Sequence, residues 1–165
     1  VTPGDFPSIR RTHGYRYSTK VTRLTMPDYM ADTGEREQIS AENRKTADRI
    51  LQLCRENGAQ LLLVELPTVT SWNAARHRGV AEFAAARELE FLDLNLLYDQ
   101  MGLDGAVAFR DAGNHLNVTG ATAVTAYLGR YIARQYRLPD LRGNSRYANR
   151  QEEWVCYRRF VNGNV

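Results

Sequence analysis

Cysteine is scarce: Cys54 and Cys156 are the only two in 165 residues. They lie far apart with no CxxC pair, so the chain is not a disulfide-framed scaffold, and whether the two bond is left open. Cys54 falls on the apolar stripe of a predicted helix, where a buried thiol is the simpler expectation. Histidine is as sparse. His13, His77 and His115 stand in separate segments without a spacing such as HxxxH, which argues against zinc, and neither metal nor cofactor is expected. No apolar run reaches roughly 18 residues, so no membrane-spanning helix is expected. No charged-then-apolar signal opens the chain. It begins with Val rather than Met, as a processed or truncated product would, so the missing signal says little about compartment. The net charge is only +3, with arginines spread along the chain, and no nucleic-acid partner is called for. What is present, 43% hydrophobic and 25% charged residues, suffices for one globular domain with a core.

Taken in order, residues 1–34 read as an irregular arm with a short strand or hairpin. Pro3, Gly4 and Pro7 break any periodicity, and Tyr15, Tyr17, Val21, Leu24 and Met26 alternate loosely with polar residues over 14–26. Residues 35–57 read as a helix. Thr33 can cap it, Glu35 and Glu37 suit its first turn, Gly58 stops it, and Ile39, Ala47, Ile50, Leu51 and Cys54 mark its inner face. The uninterrupted run LLLVEL at 61–66, ended by Pro67, reads as a parallel strand covered on both faces. A helix over 73–89, with Val80, Phe83, Ala84 and Arg87 on one stripe, leads to a second strand at 91–94. Together these make a βαβ unit. A short helix at 95–101, a loop at 102–108 and a helix at 118–136, with Val124, Leu128, Tyr131 and Ile132 inward, complete a core over 35–136. Residues 137–165 form a C-terminal extension, where Trp154, Tyr157 and Phe160 suit a short helix packing back on the body. Its five arginines, Arg142 to Arg159, read as a solvated face or as a contact for an anionic polymer.

The most informative stretch is 109–132, FRDAGNHLNVTGATAVTAYLGRYI. Asp111 and His115 are separated by a glycine-containing loop that can curl until the carboxylate accepts from the imidazole. A carboxylate on one ring nitrogen fixes the tautomer, leaving the other to take a proton from a hydroxyl. The alternative is structural: Asp111 and Asn117 cap turns, and His115 merely begins a helix. Open parallel sheets bind ligands beyond the carboxyl ends of their strands, which brings Glu65 and the loop 68–73 beside this stretch. Thr68, Asn73 and above all Trp72, a surface on which a sugar can stack, are then substrate-lining candidates, with Asn114 and Asn117 from the histidine loop. Equally, Glu65 can pair at the rim and Trp72 can pack as a lid. Asn117-Val118-Thr119 also matches a glycosylation sequon, a reading that carries little weight in such a loop.

The run Asp111, His115, Leu116, Asn117, Gly120, Ala121 resembles the last block of the SGNH (GDSL-type) hydrolase superfamily, in the bacterial branch with an HLN..GA signature. LLLVELP at 61–67 resembles that family's fourth strand and EFLDLN at 90–95 its fifth. The resemblance implies an α/β fold, a partial three-layer α/β/α (flavodoxin-like) arrangement of parallel strands, represented by its C-terminal half. It implies His115 as catalytic base and Asp111 as its orienting acid, with an ester-bearing carbohydrate or lipid-linked substrate and an extracytoplasmic or cell-envelope location. The expected activity is that of an O-acyl esterase or acyltransferase. Two departures stand out. The family's acid stands three residues before its histidine rather than four, and the upstream blocks that carry the nucleophilic serine and the oxyanion glycine and asparagine are not found. Gly4-Asp5-Phe6 mimics the GDS motif without its serine or a preceding strand. Ser71 follows the first strand but is not expected to be the nucleophile, whose identity stays unknown. The chain is accordingly expected to need upstream strands or self-association to complete its sheet. The alternative is a non-catalytic SGNH-like module that binds glycan or a partner.

Overall fold

The computed structural model describes residue 15 and residues 17–161. The arm at 1–12, its GDF string and His13 lie outside the described residues. Seven elements follow: α1 (Ala41–Glu56), β1 (Leu62–Glu65), α2 (Ala74–Ala85), β2 (Glu90–Asp93), α3 (Tyr98–Met101), α4 (Val118–Gln135) and α5 (Ala148–Val161), with short 3-10 turns at Leu94–Leu96 and Ser145–Tyr147. The fold is α/β. β1 and β2 pair in parallel, Leu62 opposite Glu90 and Glu65 opposite Asp93, and α2 is the crossover that parallel pairing requires.

Strand alternation divides the sheet between two helices. Leu62, Val64, Leu92 and Leu94 join Val124, Tyr127, Leu128 and Tyr131 of α4 in the main core, with Met101 of α3 beneath them. Phe91 and Asp93 turn the other way and meet His77 of α2. A second cluster of Val69, Ala108 and Phe109, packed by Leu24, Tyr29 and Leu116, sits under the loops at the carboxyl end of the sheet. Phe109 is wholly buried. Such burial ties the loop before α4 to the body.

Three expectations are corrected. The hairpin at 14–26 is not formed among the described residues: the chain there runs irregularly along the loop before α4, with Thr22 and Leu24 donating to the carbonyls of Phe109 and Gly105. The first helix starts at Ala41 with Ser40 as its cap, later than the glutamates suggested, because residues 35–37 are drawn onto α2. There the Glu37 amide donates to the Ala75 carbonyl, Arg76 pairs with Glu37 at 2.9 Å, and Arg78 donates to the Glu35 carbonyl at 2.6 Å. Finally, β1 is half-buried throughout rather than covered on both faces, and Leu66, just after it, is exposed. Cys54 is likewise half-buried and Cys156 exposed, both as free thiols.

Gly79 explains how 35–39 can lie on α2. A methyl group there would stand 1.9 Å from the Glu37 carbonyl oxygen, closer than any van der Waals contact, and the obstacle is backbone. Gly79→Ala is expected to lift this segment and cost about 1–3 kcal/mol, as overpacking of a well-filled site does. Thermal unfolding measures the loss, and new amide exchange confined to residues 35–39 would locate it.

Candidate active site

The loop from Arg110 to His115 is closed at its base by an antiparallel bridge between Phe109 and Leu116 and by the Arg110 amide donating to the His115 carbonyl at 3.0 Å. Within it two successive residues take positive φ, Ala112 at 56° and Gly113 at 103°. Glycine accepts this freely, while an alanine there stores strain of about 1 kcal/mol or more. Gly113 also has no room for a side chain, since a Cβ would lie 2.8 Å from that of Val69. The double reversal carries Asp111 back over the loop. Its Oδ1 accepts from the His115 backbone amide at 2.6 Å, and its Oδ2 accepts from His115 Nδ1 at 2.5 Å.

Burial works to raise the Asp111 pKa, but the ring and backbone hydrogen bonds from His115, with the charges of His115 and Arg110, outweigh it and hold the carboxyl below its ordinary value. Asp111 is therefore an acceptor, Nδ1 is the protonated nitrogen, and Nε2 is the nitrogen suited to proton transfer. The His115 side chain is 54% exposed. A base must be reachable, and this one is.

The histidine loop is joined to the loop after β1. Val69 donates its amide to the Gly113 carbonyl at 2.7 Å, and Thr70 and Ser71 donate their hydroxyls to Asn114 Oδ1 at 3.1 and 3.2 Å. Ser71 also hydrogen-bonds Thr68 Oγ1 at 2.9 Å. Four of the residues expected from sequence, Asp111, His115, Asn114 and Thr68, thus share one rim with Thr70 and Ser71.

The remaining candidates lie elsewhere. Asn73 caps α2 through the Arg76 amide. Asn117 is 1% exposed. Its Oδ1 caps α4 by accepting from Thr119 and Gly120, and its Nδ2 donates to the carbonyls of Lys20 and Val107. All its hydrogen-bonding capacity goes to backbone, so it builds the loop rather than lining its surface. Trp72 is half-buried, with Nε1 donating to Asp93 Oδ2 at 2.8 Å, which turns the indole toward the sheet. Glu65 sits at the end of β1 beside Asp93.

A second His–Asp pair went unread in the sequence. Asp93, whose side chain is 1% exposed, receives His77 Nδ1 at 2.7 Å. It also accepts from Trp72 and from both the amide and the side-chain Nδ2 of Asn95. Asn95 in turn accepts from the Thr68 amide and the Tyr29 hydroxyl and donates to the Leu66 carbonyl. This network fastens both ends of the loop 67–73 to the end of β2. The LDLN string carried the signal, a polar pair closing an apolar strand. His77 comes from α2, and only the crossover brings it there.

Burial, and next the charge of Asp93, raise the pKa of Glu65. A carboxyl whose folded pKa is raised stabilises fully below its unfolded pKa, and that contribution is lost as pH rises through the folded value. Glu65→Gln is therefore expected to raise Tm at pH 8, with the gain shrinking toward pH 4 (about the ordinary carboxylate range). Melting curves across that range check it, and a gain independent of pH would contradict the assignment.

Among the described residues no group of three or more His, Cys, Asp or Glu is arranged to hold a metal ion. No protein-family model matches the chain, and no match was found among curated proteins or solved structures.

Proposed function

We propose that this chain is the base-bearing part of an SGNH-type serine hydrolase, an O-acyl esterase or acyltransferase acting on esters of carbohydrates or cell-envelope lipids. One observation carries the reading: the Asp111–His115 hydrogen bond at 2.5 Å, on a loop that ends in a helix and leans on the loop beyond β1. In the reaction a serine attacks the ester carbonyl, His115 takes the serine proton through Nε2 and returns it to the leaving alkoxide, and Asp111 stabilises the imidazolium. Neutral Asn114, Thr68, Thr70 and Ser71 supply the polar rim that a sugar hydroxyl meets, with Trp72 and Glu65 behind them.

In this reading the serine and the oxyanion donors come from strands that precede β1 in the reading frame and pair beyond it. The outer edge of β1 supports this. A two-stranded sheet is a thin core, and the half-buried strand, followed by the exposed Leu66, is incompletely covered. In this reading the protein completes a three-layer α/β/α sheet, and it works outside the cytoplasm or at the envelope.

A second reading, a glycan- or partner-binding module without catalysis, draws on the fact that Ser71 hydrogen-bonds Asn114 and Thr68, not His115. Turnover of a short-chain p-nitrophenyl ester separates the two. The chain alone is expected to be inactive, and the chain joined to the residues that precede it in its reading frame is expected to turn over. Inactivity of both favours the binding module.

A further inference from the structure

The net positive charge of this protein is gathered at one end. Residues 137–161 hold six arginines, Arg137, Arg142, Arg146, Arg150, Arg158 and Arg159, against Asp140, Glu152 and Glu153. That surplus of three equals the formal charge of the whole chain, +3, so the remainder is balanced. The same segment exposes large apolar side chains: Trp154 is 57% exposed, Leu138 56%, and Leu141 and Val155 each 41%. The expectation that Trp154 packs back on the body is therefore corrected. α5 leans chiefly on the 3-10 turn before it, and its described contact with the rest of the chain includes Tyr157 against Tyr15, ring centroids 6.1 Å apart.

Tyr147, Gln151, Trp154 and Arg158 recur at helical spacing and form one stripe, flanked by Arg150 and Val155. Leu141 and Arg142 face this stripe across a groove of about 700 Å³. Arg158 lies over the Trp154 ring at 5.0 Å. No acid lies on the helical stripe itself, while across the groove Arg142 is paired with Asp140 at 2.5 Å. Glu152 falls on the far side of the helix by spacing, and Glu153 is half-buried and paired with Arg150 at 3.2 Å.

We propose that this stripe and groove dock on an anionic phospholipid surface. The chemistry discriminates among anionic partners. An acidic polysaccharide or nucleic acid has phosphate, sulfate or carboxylate groups for the arginines and a ring for Trp154, but nothing for the exposed Leu141 and Val155 that line the groove. A bilayer boundary satisfies both sets, with apolar side chains and an indole at acyl depth and guanidinium groups among the headgroups. The docking is independent of the esterase reading, since it uses none of the residues near His115.

Co-sedimentation of the full chain with vesicles tests it, comparing pure phosphatidylcholine with phosphatidylcholine containing about one-third phosphatidylglycerol. The expected result is binding to the anionic vesicles only, lost near 1 M salt, where the Debye length is about 3 Å. The double change Arg150→Gln with Arg158→Gln is expected to weaken binding about tenfold or more, and Trp154→Ser by a similar factor at unchanged circular dichroism. Arg158 and Trp154 are exposed, whereas Arg150 also pairs with Glu153, so the circular dichroism of the double variant is matched to the parent's before its binding is compared. Equal binding to neutral vesicles, no binding to either, variants that bind like the parent, or retention by soluble dextran sulfate without vesicle binding would each overturn the proposal.

Discussion

His115→Ala, made in the chain extended through the residues that precede it in its reading frame, is expected to lower kcat for a p-nitrophenyl ester by about 10,000-fold with little change in KM. The size follows from what His115 would do. Without a base the serine hydroxyl stays protonated and the leaving alkoxide receives no proton, yet the groups that hold the ground-state ester are untouched. Asp111→Asn is expected to cost less, about 1,000-fold, because the Asp111 side chain is 36% exposed and water offsets part of the lost charge. Asp111 also accepts from the His115 amide, so Asp111→Ala should loosen the loop as well as the ring. Steady-state kinetics checks the ranking. A purely structural histidine would instead move stability and leave kcat within a few-fold.

The second large effect lies in the buried carboxylate at the end of β2. Asp93→Ala removes one side chain and strands four donors: His77 Nδ1, Trp72 Nε1 and the two Asn95 groups. Removing one partner from a buried, hydrogen-bonded charge cluster costs about 3–5 kcal/mol. At roughly 2–4 °C per kcal/mol for a chain of this size, Tm is expected to fall by about 10 °C. His77→Ala should cost clearly less, since His77 is only one of the donors and sits partly in water. Asp93→Asn, which keeps acceptor capacity, should fall between. Should Asp93→Ala unfold at the parental temperature, the network holds nothing together. Loosening of 67–73 would follow the stability loss, visible as faster exchange of the Thr68 and Val69 amides, whose acceptors are Asn95 and Gly113.

Much of the fold was legible because its signals were local. The run at 61–66 and the shorter one at 91–94 have the length and composition of strands, and the helix between them forces parallel pairing. Asn117, weighed as a cap from the sequence, caps α4, while Asn73, read as substrate lining, caps α2. The failures came from tertiary contacts. Glu35 and Glu37 looked like a first helical turn, but Arg76 and Arg78 of α2 bind that stretch instead. Tyr15, Tyr17, Val21 and Leu24 alternated like a strand, yet 22–24 found its hydrogen bonds on the irregular loop at 105–109. At the candidate site, spacing left the pairing of Asp111 with His115 open beside a purely structural reading, and the hydrogen bond between them decides for the pairing. Its mechanism was not legible, since nothing about Ala112 announces a left-handed backbone. Asn117 read as a substrate contact because an amide near a histidine invites that reading, whereas burial assigns its amide to the backbone. The Asp93–His77 pair was invisible for a plain reason: its partners lie on different elements, and only the crossover makes them neighbours.

In the proposed reaction Nε2 of His115 serves a serine outside these 165 residues. A fluorophosphonate labels only an activated serine, so labelling of the extended chain followed by peptide mapping addresses it directly. The expected result is one adduct on a serine preceding residue 1, absent in His115→Ala and unchanged in Ser71→Ala. An adduct on Ser71, or an upstream adduct that persists in His115→Ala, would contradict the account.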